Sequence, residues 1–387
     1  MSTATTRTMD PTASSTHLFL AFELGEGHWK LGFSAGFATR VLKRQVPARD
    51  GKAVLREIAR AKEHLGLPPT IPVRSCYEAG RDGFWLHRFL VTHGVENLVI
   101  DSSSIEVNRR RRRAKTDRLD LEGLVDLLLR YWAGSHKKPF SVVRVPSVEE
   151  EDRRHLHREL QSAKRDRTRV TNRMKGLLAN HGLTLDLQRK GVPERLCVLE
   201  QWDGSPLPTG LRARLEREWE RVCFYTKLIR TLQSERREML RSAANPMTEQ
   251  VLQLVALRGI GVNSAWLFVM EFFGWREFRN RKEVGALAGL APTPHQSGES
   301  NRELGMSKAG NRHVRSMVVE IAWAWLRFQP QSRLSQWYQE RYGSGSKRMR
   351  KIGIVALARK LLIALWRFLE TGVLPEGAEL KAEIRNL

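Results

Sequence analysis

The first part of the chain shows short apolar or alternating runs separated by turn residues, which is the pattern of β-strands. Two such runs, at 17–23 and 29–34, flank Gly25 and Gly27, and a third follows at about 39–45. We therefore predict a β-hairpin that extends into a three-stranded meander.

Helical and strand-like patterns alternate beyond the meander. Helical periodicity covers 50–65, about 82–93 and about 116–132, and strand-like runs cover 72–77 and 98–101. Strands that alternate with helices usually pair in parallel, so we expect a mixed α/β layer. Two or three strands followed by alternating helices and strands is the element order of a ribonuclease-H-like domain.

The middle of the chain predicts two long helices. Charged stretches with sparse apolar positions run from 147 to about 181 and from 211 to 244, and a connection rich in Pro and Gly, 191–210, separates them. The pattern favours an antiparallel hairpin or a coiled-coil arm usable for dimerisation, although its heptads are imperfect.

After residue 245 the pattern is mostly helical. Gly259 and Gly261 separate two apolar helical stretches, the pattern of a helix-hairpin-helix in which backbone amides approach a phosphate. A plain helix–helix turn explains the same glycines. A turn-rich loop and two apolar helices follow, at 289–300, about 314–328 and about 354–369.

These patterns divide the chain into four predicted parts. They are a disordered lead-in, an α/β domain, a helical arm and a mostly helical C-terminal domain, at 1–16, 17–146, 147–245 and 246–387.

Composition adds a charged partner to this picture. The 387 residues include 66 Lys and Arg against 42 Asp and Glu, a net charge of +24. A positive field of this size favours a polyanion, most simply a nucleic acid and less simply an anionic membrane. The three cysteines are scattered, without the spacing of a zinc site or a disulfide framework. No apolar run reaches the length of about 18 residues that a membrane span needs, so we expect a cytoplasmic, nucleoid-associated protein without a membrane partner.

Four carboxylates are candidates for a metal site. Glu23 ends the first predicted strand, Glu78 follows a later one, and Asp117 and Asp120 share a helix face. In an α/β layer all four can meet at one edge of the sheet, where oxygen ligands suit Mg²⁺. Ordinary surface acids are the alternative, but Glu23 lies in an otherwise apolar strand, where an unpaired charge costs several kcal/mol.

A dense run of positive charge lies next to two of these carboxylates. It consists of Arg109, Arg110, Arg111, Arg112 and Arg113, with Lys115 and Arg118. Arginines form bidentate hydrogen bonds with phosphates, so the run predicts a nucleic-acid contact. A solvated charge run or a localisation tract is the alternative.

Ser297 is the candidate nucleophile. It follows a segment rich in Pro and Gly and precedes a basic cluster of Arg302, Lys308, Arg312, His313 and Arg315. A serine can attack a phosphodiester when its proton is accepted and positive groups stabilise the phosphorus centre. A serine in a turn is far more often structural, and chemistry alone does not select this one.

The chain resembles the DEDD-type insertion-sequence transposases, the family that includes the pilin-gene DNA invertase and the RNA-guided bridge recombinases. The resemblance covers about residues 17–370 and rests on six motifs in the right order. They are YEAG at 77–80, KTDRLD at 115–120, RGIG at 258–261, GLAP at 289–292, QSG at 296–298 and SKAGNR at 307–312.

The resemblance implies a fold, a chemistry and partners. Its members carry a RuvC-like N-terminal domain with an Asp-Glu-Asp-Asp tetrad for Mg²⁺ (or Mn²⁺), a dimerising coiled coil and a domain with a serine nucleophile. By motif, the tetrad becomes Glu23, Glu78, Asp117 and Asp120, with Glu23 where Asp is usual, and the nucleophile becomes Ser297. The implied partners are DNA, as element ends and target, and a guide RNA. The implied assembly is a homodimer that forms a tetramer on DNA, with a composite site across protomers.

Two other functions stay open on the sequence. A metal-dependent junction nuclease would use the four carboxylates without Ser297 or a covalent intermediate. A non-enzymatic basic protein would bind nucleic acid with steep salt dependence and need neither site. Ser300 and Ser307 are alternative nucleophiles that lack the Gln-Ser-Gly context.

Overall fold

The computed structural model describes residues 16–382 except 38, 106–116, 135–137, 243–244 and 298–299, and it describes the backbone alone at 103, 117–120 and 293–304. The chain forms two compact units, Met1–Pro146 and Ser147–Leu387. The lead-in predicted for 1–16 lies outside the described residues apart from Thr16.

The first unit is a five-stranded sheet with helices on both faces. The strand order is β3-β2-β1-β4-β5. The strands are β1 Leu18–Leu24, β2 His28–Ser34, β3 Leu42–Pro47, β4 Val73–Glu78 and β5 Val95–Ile100, and the helices are α1 Gly51–His64, α2 Trp85–Thr92 and α3 Asp117–Trp132. β1 pairs antiparallel with β2 and parallel with β4, so the predicted mixed α/β layer is confirmed.

Central strand β1 is buried on both faces because its side chains alternate between two cores. Leu20 and Phe22 pack with Val54 of α1. Ala21 packs on the opposite face with Leu121 of α3. A strand covered on both faces reads as a continuous apolar run, as 18–22 does.

The second unit is helical apart from one β-hairpin. Its helices are α4 Val148–Ala179, α5 Val192–Cys197, α6 Thr209–Ser242, α7 Pro246–Ala256, α8 Val262–Phe268, α9 Arg281–Leu287, α10 Arg312–Phe328, α11 Arg333–Tyr338 and α12 Lys347–Thr371. The hairpin strands are β6 Pro292–Ser297 and β7 Ser300–Met306. Two π-helical turns, Val269–Phe273 and Gln339–Gly343, continue α8 and α11.

Helices α4 and α6 are long and antiparallel. α4 begins at a capping box in which Ser147 and Glu150 exchange side-chain hydrogen bonds with each other's amides, of 3.1 and 2.8 Å. Near the other end of α4, Met174 packs with Leu215 early in α6. Both predicted long helices are therefore present, while the coiled-coil geometry, the dimerisation role and a domain boundary at 245 stay predictions.

The core of the second unit lies between α8, α10 and α12. Trp266, Trp325 and Leu361 are fully buried there. The Trp325 indole Nε1 donates a hydrogen bond of 2.8 Å to Ser332 Oγ, so its polar atom is satisfied. No helix in the described part of the chain is long and apolar enough to cross a membrane.

One local prediction is wrong. The sequence predicts a turn-rich loop at 289–300, but half of this segment, Pro292–Ser297, is strand β6, paired with β7. The ladder shifts register between Pro292 and Pro294, since proline has no amide to donate. The prolines that suggested a loop therefore mark an irregular strand.

Candidate functional site

Glu23 and Glu78 lie side by side at the ends of two central strands. β1 and β4 pair Phe22 with Tyr77 in parallel, so the next residue on each strand is one of the two glutamates. Residues in register on neighbouring strands, about 4.8 Å apart, point to the same face of the sheet. Glu23 is half-buried and Glu78 is exposed. Two carboxylates are therefore close neighbours at one edge of the sheet.

Helix α3 covers this face and runs antiparallel to β4. Cys76 Sγ lies 3.9 Å from the carbonyl oxygen of Leu124, in the first half of the helix. The guanidinium of Arg74, two residues earlier on β4, lies 3.8 Å from the centroid of Trp132 at the helix end. The N-terminal end of α3 therefore lies towards the C-terminal end of β4.

The first turn of α3 consequently lies at the edge formed by Glu23 and Glu78. This turn begins at Asp117 and includes Asp120. The structure describes only the backbone of these two aspartates, so their side-chain geometry lies outside the described part. The backbone alone brings the segment of both aspartates to the edge where both glutamates stand.

An ion pair occupies one side of this edge. Lys30 Nζ lies 3.7 Å from Glu23 Oε2, and their side chains are 38% and 28% exposed. An ion pair with this exposure contributes about 0–1 kcal/mol. A divalent cation could therefore displace Lys30 from the carboxylate at little cost.

The oxygen-rich donor set of this edge fits a hard cation such as Mg²⁺. Among the side chains that the structure describes, no three His, Cys, Asp or Glu residues form a metal-binding group. Asp117 and Asp120 are not among those side chains, so the predicted group of four is only half described.

The predicted phosphate-binding run lies mostly outside the described residues. This applies to Arg109, Arg110, Arg111, Arg112, Arg113 and Lys115, and Arg118 is described by its backbone alone.

Ser297 lies at the tip of the β6–β7 hairpin. It ends β6 and pairs with Ser300, the first residue of β7. The two residues between them lie outside the described part of the chain. At the other end of the hairpin, Ser307 N donates a hydrogen bond of 2.8 Å to Ala291 O. The hairpin therefore projects the candidate serine away from its anchored base.

The basic loop after the hairpin is fixed by close backbone contacts. Gly310 has φ +113°, and a Cβ there would lie 2.2 Å from the Leu287 carbonyl oxygen. Asn311 N donates a hydrogen bond of 2.9 Å to that oxygen. The Asn311 side chain also accepts hydrogen bonds from two amides in the first turn of α10, so it caps this helix.

The predicted basic residues separate into two groups. Arg312 and His313 are exposed at the start of α10, and Lys308 is exposed in the loop. Arg315 instead donates hydrogen bonds to the carbonyl oxygens of Lys308 and Ala288, of 3.0 and 3.4 Å, so it also holds the loop against α9. The side chain of Arg302 lies outside the described part.

The turn of Gly259 and Gly261 is held from within the unit. Gly259 has φ +86° and closely approaches α10, which explains the need for glycine. The Gly261 amide donates a hydrogen bond of 3.2 Å to Ser264 Oγ, and the Ile260 carbonyl accepts one of 2.7 Å from Lys381 Nζ. Phosphate binding at this turn stays a prediction, and the Gly261 amide already has a hydrogen-bond acceptor.

Sequence reasoning missed a buried charged cluster that joins α4, α6 and the π-helical turn after α8. Glu271 accepts two hydrogen bonds from Arg158, of 2.6 and 2.9 Å. Arg236 of α6, also buried, donates one of 2.6 Å to Asn263 Oδ1. Asn311, the cap of α10, donates a hydrogen bond of 3.5 Å to the Glu271 carbonyl oxygen. The cluster therefore reaches the basic loop beside the serine hairpin.

Burial sets the charge states within this cluster. It lowers the pKa of His157 to about 4, and neither ring nitrogen has a hydrogen-bond partner among the described residues. Burial raises the pKa of Glu271, but hydrogen bonds from Arg158 and its charge outweigh this effect, and the pKa lies below its usual value. At neutral pH the cluster therefore holds a neutral imidazole next to a carboxylate anion.

The sequence signal for this buried cluster is the position of two charged or polar residues within the apolar stripe of α4. The buried residues of α4 include Arg154, His157, Leu160 and Ala163, each three residues after the last. Arg154 and His157 therefore occupy the apolar stripe of the helix. A charge inside such a stripe indicates a buried polar partner elsewhere in the chain.

Comparison with known proteins identifies relatives over most of this chain. The model of the transposase IS116/IS110/IS902 family matches residues 252–337, which contain the glycine turn, the serine hairpin and the basic loop. The protein y4rJ of Sinorhizobium fredii, which carries a transposase name, is 40% identical over 379 residues, 94% of each chain.

More distant relatives match about half of the chain. The transposase for insertion sequence element IS1328 of Yersinia enterocolitica is 26% identical over 213 residues, 54% of this chain and 60% of the relative. The transposase for insertion sequence element IS1111A of Coxiella burnetii is 26% identical over 215 residues, 55% of each chain.

Proposed function

Because the chain belongs to the IS116/IS110/IS902 family of transposases, we propose that it cuts and rejoins DNA strands at the ends of a mobile element with Ser297 as nucleophile. Glu23, Glu78, Asp117 and Asp120 hold Mg²⁺ or Mn²⁺ for this reaction. The observation that carries the proposal is the meeting of two glutamates and the first turn of α3 at one edge of the sheet.

The sheet supports a ribonuclease-H-like, RuvC-like first unit. Three antiparallel strands, β1 to β3, come first, and β4 and β5 then add in parallel beside β1. In a layer of this kind, ligands bind outside the carboxyl ends of the parallel strands. Glu23 and Glu78 occupy these ends of β1 and β4.

The carboxylates of the acidic edge would be the ligands of the metal ion. A bound Mg²⁺ would polarise a phosphoryl oxygen and stabilise its developing charge. Glu78 is exposed at the end of β4, and the half-buried Glu23, which pairs with Lys30, stands beside it on β1. Glu23 is one methylene longer than the aspartate usual in the family, a difference that a site retaining water ligands can accommodate.

Ser297 supplies the covalent step. Its Oγ forms a bond to phosphorus as the bond from phosphorus to a DNA oxygen breaks. The serine proton leaves to a base, and the released DNA oxygen takes up a proton. A hydroxyl of the joining strand then attacks the phosphoserine, which restores the serine and forms the new phosphodiester. Exposed Lys308 and Arg312 are suited to hold the phosphate charges.

A guide RNA and an oligomer complete the proposal. The net charge of +24 supports more than one nucleic-acid partner. The long α4–α6 hairpin supports a dimerisation arm, because it carries exposed Phe224. A homodimer that assembles into a tetramer on DNA follows the pattern implied by the family resemblance.

Trapping of a covalent adduct tests this function. The full-length chain is incubated with Mg²⁺ and DNA that carries the element ends, together with RNA transcribed from the flanking non-coding segment. Denaturing gels then detect protein attached to labelled DNA. We expect an adduct with the wild-type chain and none with Ser297→Ala.

Two matched serine variants make this test specific. Ser300→Ala and Ser307→Ala should retain the adduct. An adduct that survives Ser297→Ala but disappears in Ser300→Ala or Ser307→Ala would assign the nucleophile to that other serine. Cleavage without any adduct, lost only in Asp117→Asn, would identify a metal-dependent nuclease instead.

A further inference from the structure

An open groove runs along α12 in the second unit. It has a volume of about 2020 Å³, and α9, α11 and the base of the β6–β7 hairpin form its other walls. Small-molecule sites usually have volumes of about 300–1,000 Å³. The groove is therefore large enough for a segment of a macromolecule.

The floor of the groove is an apolar stripe of α12. Leu357 and Leu361 on one side of this helix are fully buried in the core. Ile352, Val355 and Ile363 on another side line the groove, and Ile352 is 49% exposed. A helix that is apolar on two sides is usually covered on both.

The rim of the groove is strongly basic. Six of its lining residues on α12 carry positive charge: Lys347, Arg348, Lys351, Arg359, Lys360 and Arg367. These residues span 20 helical positions, about 30 Å of helix. Among the lining residues the opposing carboxylates are Glu370 and Glu376. The rim therefore matches a polyanion along the length of the helix.

Two donors in the groove lack acceptors within the described part of the chain. Arg359 Nε and Trp366 Nε1 are both buried without a hydrogen-bond partner there. Both groups can only donate hydrogen bonds. Arg359 lies close to Gly285, where a Cβ would lie 2.8 Å from Nε. The glycine makes room for this guanidinium at the groove wall.

We propose that this groove binds an unpaired segment of a nucleic-acid strand and leads it towards the serine hairpin. An unpaired strand can place its phosphates at the basic rim and its bases on the apolar floor. A duplex keeps its bases inside and would leave that floor uncovered. The inference rests on the proposed DNA chemistry and adds the strand state and its binding surface.

Charge favours a nucleic acid over an amphipathic protein helix in the groove. A strand carries one negative charge per nucleotide, so its phosphates can face the cations along the whole 30 Å of the rim. The base of the hairpin continues the groove, because Pro292 and Met306 line it and pair with each other. Ser297 stands at the other end of β6, about 17 Å away along a six-residue strand.

Binding of labelled oligonucleotides tests this proposal. Fluorescence anisotropy is measured with the full-length chain, using a fluorescein-labelled unpaired strand and the duplex of the same sequence. The groove variant is Lys351→Glu with Lys360→Glu, both at exposed positions. The matched control is Lys227→Glu with Arg230→Glu, two exposed positions on α6 with the same change in net charge.

We expect the groove variant to bind the unpaired strand at least about tenfold more weakly and the control to lose less than about threefold. If each lysine contacts one phosphate, the slope of log affinity against log salt falls by roughly 1.4 in the groove variant. Circular dichroism and melting curves confirm that both variants remain folded.

A neutral variant separates the floor from the rim. Ile352→Ser leaves the charge unchanged and removes exposed apolar surface from the floor. We expect it to weaken binding of the unpaired strand and to leave duplex binding unchanged.

Three outcomes would overturn the groove proposal. In the first, the groove variant binds the unpaired strand as tightly as the wild type. In the second, its affinities for the unpaired strand and for the duplex fall by the same factor. In the third, an acidic helical peptide binds in the groove without displacing the unpaired strand or the duplex. If the groove results hold while no Ser297-dependent adduct forms, the proposed function fails and the groove remains. If a Ser297-dependent adduct forms but the groove variant binds the unpaired strand normally, only the groove proposal is refuted.

Discussion

Glu271 illustrates how single residues of this basic chain keep charge inside the fold. Its side chain is 4% exposed, whereas its partner Arg158 is 56% exposed. Removing a carboxylate from water costs several kcal/mol, and two charge-assisted hydrogen bonds offset much of this cost. His157 in the same cluster has no such compensation, so it remains in the fold only as the neutral imidazole.

The low pKa of His157 predicts a loss of stability in acid. The unfolded chain binds a proton near pH 6.5 and the folded chain only near pH 4. Folding therefore becomes less favourable as pH falls through this window, by roughly 2–3 kcal/mol between pH 7.5 and 4.5. His157→Met, of similar size, should remove this contribution. Urea unfolding at both pH values, followed by circular dichroism, measures the difference.

His155→Met is the matched control, because His155 is exposed on the same helix. It should keep the wild-type dependence on pH. Glu271 does not obscure the result, since its pKa lies below the usual range and its contribution is lost only in stronger acid. Equal pH dependence in the wild type and His157→Met would contradict the buried neutral imidazole.

At the scale of elements, the serine hairpin depends on how its base is closed. β6 and β7 make a two-stranded sheet, and such a hairpin is only marginally stable alone. Its base is joined to α9 through Gly289, Gly310 and the Arg315 guanidinium, which hydrogen-bonds two carbonyl oxygens there. The position of Ser297 therefore depends on close backbone packing several residues away.

Gly310→Ala should displace this base. A Cβ would lie 2.2 Å from the Leu287 carbonyl oxygen at φ +113°, so the loop must move, at a cost of about 3 kcal/mol or more. We expect a lower melting temperature and at least a tenfold loss of Ser297 adduct, measured on the same samples. Gly182→Ala is the control: it has φ +70° with open space around it and should cost about 1 kcal/mol without loss of adduct.

At the scale of the whole molecule, the two candidate sites belong to different compact units. Glu23, Glu78 and α3 are in the first unit, and Ser297 is in the second. Asp117 and Ser297 are 180 residues apart in sequence (297 − 117). The proposed chemistry must therefore bring two separately folded units to one phosphate, within one chain or between protomers.

Mixing two inactive variants distinguishes these arrangements. Asp117→Asn and Ser297→Ala are each expected to form no productive adduct. If the site is composite across protomers, half of the random dimers are mixed and each mixed dimer keeps one intact site of two, so coassembled mixtures should recover up to about a quarter of the wild-type adduct. The control is the Asp117→Asn variant alone, at the same total protein concentration as the mixture. A mixture as inactive as its components would place both sites in one chain.

Local patterns in the sequence determined much of the fold. The apolar runs of β1 and β4 predicted buried strands because alternate side chains enter two cores. Ser147 and Glu150 are a local signal for the start of α4, because a capping box uses groups only three residues apart. The order of these elements and the excess of basic residues, in turn, predicted the α/β layer and a nucleic-acid partner.

Features that join distant segments depend on the folded chain as a whole. Arg158 and Glu271 are 113 residues apart, and no local pattern indicates which arginine a buried glutamate will meet. The prolines of β6 predicted a loop because a single strand does not reveal the partner that pairs with it. The groove along α12 appears only when α9, α11 and the hairpin surround it. Hydrogen bonding within a helix is local, whereas strand pairing, burial of charge and groove shape depend on contacts that the chain makes after folding.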